Sequence, residues 1–174
     1  LAIEANPSTF NLKTKSVEND GAKTINCGVG IERGAQEFFV PKNDELADNA
    51  SFLKKTGEEY NSIMVEVRTV DGLHREFFSD DKSIALWIDV EGSAFEVLKG
   101  CDSLLKRENC QVLKVEVEAK AFWESQSLVW NVNDFLTSLG YVPVLRDMEY
   151  VGQYNLIYVR AGLVENIEEI LIDC

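Results

Sequence analysis

Hydrophobic and polar positions along this chain repeat with two periods, and the switches between the periods outline its elements. Leu1–Glu4 is a short apolar run that ends in an acid. Asn6-Pro7 has the form of a helix start, with Asn6 as the cap and Pro7 in the first turn. That helix is expected to run to about Asn19 and to stop at Asp20-Gly21. Ala22–Cys27 reads as a second strand, followed by the loop Gly28-Val29-Gly30. Ala35–Val40 is strand-like and ends at Pro41. Lys42–Asn61 is polar and lacks a clear period, which suggests a surface excursion with a short helix around Ala50–Lys55.

Ser62–Val70 sets Ile63, Val65 and Val67 against Glu66 and Arg68, the pattern of a half-buried strand. Thr69 or Asp71 is placed to cap a short helix through Phe78. Ile84–Val90 is nearly all apolar, as expected of a strand buried on both faces of a parallel sheet. Gly92 opens a helix whose stripe is Phe95, Leu98, Cys101 and Leu105. Gln111–Glu118 is another strand. Leu128, Val132, Phe135, Leu136 and Leu139 mark a helix that Gly140 ends. Tyr141–Leu145 and Tyr150–Arg160 are expected as antiparallel neighbours, because the link between them is short. Leu163, Ile167, Ile170 and Leu171 are spaced as in an amphipathic tail helix. The division that follows is one α/β domain over residues 1–162 and a C-terminal tail over 163–174.

Repeated strand–helix units imply a mostly parallel, doubly wound sheet, here with an antiparallel C-terminal strand. Ligands of such sheets bind at the carboxyl ends of the strands. The length of 174 residues suits a single domain, and a 45% hydrophobic content supplies a core. Lys and Arg number 17 against 30 Asp and Glu, a formal net charge of −13. That balance argues against nucleic acid and against anionic lipid as partners. No apolar run approaches the ~20 residues of a membrane span. Cys27, Cys101, Cys110 and Cys174 include no C-x-x-C pair, and His74 is the single histidine. No metal-ligating set and no disulfide framework is expected, and reduced, buried thiols suit a cytoplasmic protein.

The residues that end strands are the candidates for chemistry. Glu4 stands where an acid can accept hydrogen bonds from a ribose diol, or can simply favour a helix N-terminus. Asp89 and Glu91 flank Val90 at the end of the apolar run, so both carboxylates can face one crevice. Gly92 then lets the backbone approach closely. Helix capping is the competing explanation for this pair. Glu116 and Glu118 repeat the alternation: one of them suits a general base or a substrate ligand, and an exposed alternating strand explains the pair about as well. His74 reads more readily as a surface histidine than as a base. Trp123 and Trp130 suit either a lid or core packing.

Taken together, these segments resemble the FkbM family of S-adenosylmethionine-dependent methyltransferases, which are Rossmann-like class I enzymes. The run Leu86-Trp87-Ile88-Asp89-Val90-Glu91-Gly92, followed by Ala94-Phe95-Glu96-Val97-Leu98-Lys99-Gly100, is similar to the family's K-I-D-V-E-G-x-E-x-x-V-L-x-G signature. Ile3-Glu4-Ala5-Asn6-Pro7 with Phe10 resembles its F-E-P-N-P…F segment, and Asn26-Cys27-Gly28-Val29-Gly30 its N-x-A-V-G segment. Trp87 stands where the family has Lys, and Ala5 where it has Pro. The family's first strand and glycine-rich loop would precede Leu1, so the chain is expected to lack its first strand. The resemblance implies that Glu4 holds the ribose hydroxyls of S-adenosylmethionine, with Asn6 beside it. It implies that Cys27, Gly28 and Val29 border the adenine. Asp89 would lie near the transferred methyl, and Glu91 or Glu116 would contact the acceptor hydroxyl. The implied reaction is O-methylation of a small molecule such as a sugar or a polyketide.

Two other readings compete with this one. The first is a non-catalytic interaction module of the same Rossmann-like fold that has lost its cofactor site. The second is a nucleotide-sugar-modifying enzyme, which would need a phosphate-binding glycine loop that these 174 residues do not contain.

Overall fold

The computed structural model describes residues 1–43, 49–78 and 82–164, with the side chains of residues 14, 15, 148 and 149 set aside. Strand β1 (Ala2–Glu4) leads into helix α1 (Pro7–Asn19). The Asn6 side chain accepts a hydrogen bond from Ser8 N–H and Pro7 takes the first helical position, so the Asn-Pro pair starts the helix as its chemistry dictates. Strand β2 (Thr24–Asn26) returns parallel to β1, pairing Glu4 with Asn26.

Strands β3 (Gly28–Val29), β4 (Gly34–Pro41) and β5 (Tyr60–Arg68) form a second sheet in the order β3-β5-β4. Helix α2 (Val70–Phe77) follows. The Thr69 hydroxyl caps α2 by accepting from Gly72 N–H. Asp71 has a different duty: its carboxylate accepts from Ser103 and Leu104 N–H and so caps a later helix.

Strands β6 (Ile84–Ile88), β7 (Cys110–Glu118), β8 (Tyr141–Tyr150) and β9 (Gln153–Arg160) form the largest sheet, in the order β6-β7-β9-β8. The β6–β7 pair is parallel, whereas β7–β9 and β8–β9 are antiparallel. Between β6 and β7 lie α3 (Ala94–Lys99) and α4 (Asp102–Leu105), and α5 (Val129–Ser138) precedes β8. Leu113, Val115 and Val117 of β7 turn to a core shared with Leu98, Leu105 and Leu136. The opposite face of β7 carries Lys114, Glu116 and Glu118.

Several expectations are corrected. The described strands form three sheets rather than one, and their pairings divide evenly between parallel and antiparallel. Ile84–Ile88 is not buried on both faces: it is a sheet edge whose Trp87 is 70% exposed. Trp87 finds a partner there in Lys114, whose ammonium sits 4.5 Å from the ring centroid. Residues 50–55 form no helix, and Ser51 instead bridges to Phe39. The single helix expected after Gly92 is two, α3 and α4. The chain turns at Gly100, where a Cβ would stand 2.1 Å from the Gly30 carbonyl oxygen, too close for any side chain. β8 runs on to Tyr150, and the hairpin turns at Val151-Gly152. Of the expected tail helix, residues 165–174 lie outside the described residues.

Candidate active site

Glu4, Asn6, Cys27, Gly28 and Val29 come from the ends of β1 and β2 and from β3, and all line one cavity of about 340 Å³. Asp89, Val90 and Glu91, just past β6, line its other side. That volume lies in the range of small-molecule sites, ~300–1,000 Å³. Local chemistry fixes the first wall. Asn6 N–H donates to Glu4 Oε1 at 2.7 Å, which holds the carboxylate at the strand tip. Asn26 Nδ2 donates to the carbonyls of Glu4 and Ala5 and ties down the turn between strand and helix. Asn26 opens the segment that resembles the N-x-A-V-G motif and ends β2, and the structure gives it this tying role.

Gly28 permits the closest approach in the cavity wall. A Cβ there would meet the Phe52 ring at 2.3 Å. Phe52 and Ala50 also line the cavity, so the segment expected to be a surface excursion supplies part of the wall. Ser51 secures it: its hydroxyl donates to the Glu91 carbonyl at 2.6 Å. Burial pushes the Cys27 thiol up to about 11, so it stays protonated at neutral pH.

The acidic wall is built from a strained turn. Glu91 has a φ of 49° and Gly92 a φ of 84°. A left-handed residue with a side chain is uncommon and concentrates where function requires it. Asp89 and Glu91 therefore converge through this turn, rather than by simple strand alternation. Carboxylate oxygens of Asp89, Glu91 and Glu116 all lie within 4.8 Å of one another. The group is graded in burial: Asp89 is exposed, Glu91 intermediate and Glu116 buried. Gln153 Nε2 donates to Glu116 Oε1 at 3.0 Å from the neighbouring strand.

Glu116 and Glu118 are 5% and 2% exposed, so the exposed-strand explanation for them is overturned. Burial, together with the nearby Glu91 carboxylate, pushes Glu118 up to about 7; Asp89 adds to the effect, while Gln126 and Lys55 oppose it. From the sequence alone Glu118 reads only as the alternate-position twin of Glu116. Its burial depends on the segment after β7, which has no period to read.

The remaining candidates fall elsewhere. His74 is buried, stacks on Phe78 at 5.9 Å and does not line the cavity, which corrects the surface reading. Trp123 is buried against Gly92, and the Lys55 ammonium lies 4.3 Å from its ring centroid. It packs beneath the acidic turn rather than forming a lid. Trp130 is exposed. No helix among the described residues is long and apolar enough to cross a membrane.

Comparison with curated proteins and with solved structures finds no match. The family model described as the methyltransferase FkbM domain matches residues 1–143, and the chain belongs to that family.

Proposed function

We propose that this protein is an S-adenosylmethionine-dependent O-methyltransferase acting on a hydroxyl of a small molecule such as a sugar or a polyketide. The observation that carries the reading is the meeting of Glu4 and the Asp89–Glu91 turn in one cavity. The residues of the first wall suit a nucleoside. Glu4 is a fixed acid for the ribose hydroxyls, Asn6 stands beside it, and Cys27, Gly28 and Val29 offer a flat, largely apolar border for the adenine. The tight cradle between Gly28 and Phe52 is consistent with a planar group slid against the backbone. The proposal includes a domain over residues 1–162 and a tail over 163–174. It also includes a cytoplasmic location, which the three free, buried thiols support.

When bound, S-adenosylmethionine supplies an already activated methyl on a sulfonium, so most of the protein's work is alignment. Asp89 faces the cavity and would orient the acceptor near the methyl. Glu91 or Glu116 would accept the hydroxyl proton as oxygen forms its bond to carbon. The acidic turn favours an enzyme over a binding module, because a convergent set of carboxylates is of no use to mere packing.

Calorimetric titration of S-adenosylhomocysteine into the protein tests the reading. Saturable binding at one site per chain is expected. If no heat of binding is seen, the cofactor assignment fails.

A further inference from the structure

We propose that Glu118 is the proton store of the acidic turn: the proton that Glu91 takes from the acceptor hydroxyl passes to Glu118, which holds it until the product has left. The proposal rests on the methyl-transfer reading and extends it to the residue behind the cavity wall, which acts through Glu91.

Three features point to this role. The first is position. Glu118 ends β7, two residues past Glu116 on the same face of the strand, so it stands beside the gathered carboxylates of Asp89, Glu91 and Glu116. Glu91 lines the cavity, whereas Glu118 does not line it and is buried. The second is the frame that holds it. Gln126 Oε1 accepts from the Phe122 and Trp123 N–H groups, at 2.8 and 3.3 Å. That fixes the amide and leaves its nitrogen to the Gly92 turn and to Glu118. The Lys55 ammonium rests on the Trp123 ring and acts on Glu118 through its charge. The third is the outlet. Burial falls from Glu116 through Glu91 to the exposed Asp89, so the turn connects the buried carboxyl to water.

The groups around Glu118 come from four elements. Glu91 and Asp89 belong to the turn after β6, Lys55 to the segment before β5 and Gln126 to the segment after β7, while Gln153 stands directly opposite on β9. Glu116 is its neighbour on β7. Burial and the two carboxylates of the turn outweigh the ammonium and the amide, which is why Glu118 titrates near 7. A carboxyl poised near neutral pH both takes up and gives back a proton readily. In the reaction the acceptor oxygen bonds to the methyl carbon, and the carbon–sulfur bond breaks with its electron pair left on sulfur. The hydroxyl proton goes to Glu91 and on to Glu118, which changes from carboxylate to neutral acid. The charge inside the site is then the same before and after, because one sulfonium and one carboxylate are neutralised together. Once the product has left, the proton returns to water by way of Glu91 and Asp89.

The test is calorimetric titration of S-adenosylmethionine and of S-adenosylhomocysteine into the protein at pH 7, each in buffers of different ionisation enthalpy, which counts the protons exchanged per site. Glu118 is about half protonated at that pH, so the sulfonium cofactor should expel roughly half a proton and the neutral product none. The count is taken as the difference between the unchanged protein and Glu118→Gln, so that the ligands' own groups cancel. Glu37→Gln, on the exposed part of β4, should leave the count unchanged. Binding of both ligands with no difference in proton count overturns the proposal and spares the methyltransferase reading. Binding of neither removes the reading and the proposal with it. Should Glu118→Gln not fold, carbon-13 resonances of the glutamate carboxyls in the unchanged protein give the same answer. One should titrate near pH 7, move to lower pH with S-adenosylmethionine but not with S-adenosylhomocysteine, and move to lower pH in Glu91→Gln. A titration indifferent to the charge of the ligand would make Glu118 a structural carboxyl and overturn the proposal.

Discussion

Trp123 lies directly against the backbone of Gly92: a Cβ added to the glycine would stand 2.8 Å from Trp123 Cε3. Gly92 also has a φ of 84°, so the position excludes a side chain for two separate reasons. The contact locks the turn that carries Glu91, and through it the acidic wall of the cavity.

Gly92→Ala should therefore destabilise the protein more than a left-handed backbone alone explains. The conformational cost is about 1 kcal/mol, and forcing a methyl into packed surroundings adds roughly 1–3 kcal/mol. Gly21 provides the comparison. Its φ is also 84°, but nothing lies within 4 Å of its added Cβ. Urea denaturation of Gly21→Ala should show only the conformational part. Equal losses for the two variants would mean that Trp123 yields freely.

Glu4→Gln separates charge from shape at the strand tip. Glutamine keeps an oxygen for the Asn6 N–H and so preserves the turn. It removes the negative charge that would bind a ribose diol. A hydrogen bond to a charged group is worth about 1.5–3 kcal/mol, so the affinity for S-adenosylhomocysteine should fall roughly ten- to hundredfold. Thermal stability should change little. Unchanged affinity would remove Glu4 from the nucleoside site.

The strand ends that carry these predictions were readable because local chemistry marks them. Asn6-Pro7 forces a helix start, and Asp89-Val90-Glu91-Gly92 combines acids with the glycine its turn requires. What escaped the sequence depends on contacts distant along the chain. The burial of Glu116 and Glu118 is set by the loops and strands folded over one face of β7, not by the alternation of the strand itself. Ser51 and Phe52 reach the site from a segment without periodicity, so nothing local announces the wall they form. The break between α3 and α4 follows from Gly100 pressing on Gly30, two residues separated by a whole sheet of sequence. The apolar run at Ile84–Ile88 suggested a central strand, but periodicity cannot tell how many neighbours a strand has.

Arg160 offers a stability test away from the site. Its guanidinium donates to the carbonyls of Cys110, Leu139, Leu105 and Arg107, and it lies 4.5 Å from the Tyr141 ring centroid. It thus joins the end of α4, the end of α5 and the start of β7. Arg160→Ala removes one donor from each of these carbonyls, at about 0.5–1.5 kcal/mol per hydrogen bond, while the Tyr141 hydroxyl still reaches those of Leu105 and Cys110 and the Cys110 N–H that of Arg107. A total loss of roughly 2–4 kcal/mol is expected in denaturant titration. Arg160→Lys should recover only a minor part, because an ammonium cannot span the planar fork. Full rescue by lysine would show that charge, not geometry, is what this position supplies.

The buried thiols make a prediction about alkaline pH. Burial pushes Cys27 up to about 11, and burial also raises Cys101 and Cys110. In the unfolded chain a thiol titrates near ~8.5. Between those values the unfolded state gives up protons that the folded state keeps. The unfolded state then binds fewer protons, so stability falls as pH rises. The stabilisation is fully present below about pH 8.5 and is lost progressively as the pH climbs through the folded value of Cys27. The thiol contribution to the urea midpoint, read as the difference between the unchanged protein and Cys27→Ala, should accordingly be flat from pH 7 to 8 and decline from pH 9 to 11. Cys27→Ala removes one of the titrating groups, so the unchanged protein should lose stability more steeply over that range. If the variant and the unchanged protein lose stability in parallel, Cys27 does not titrate differently on folding and its burial is not what sets the alkaline limit.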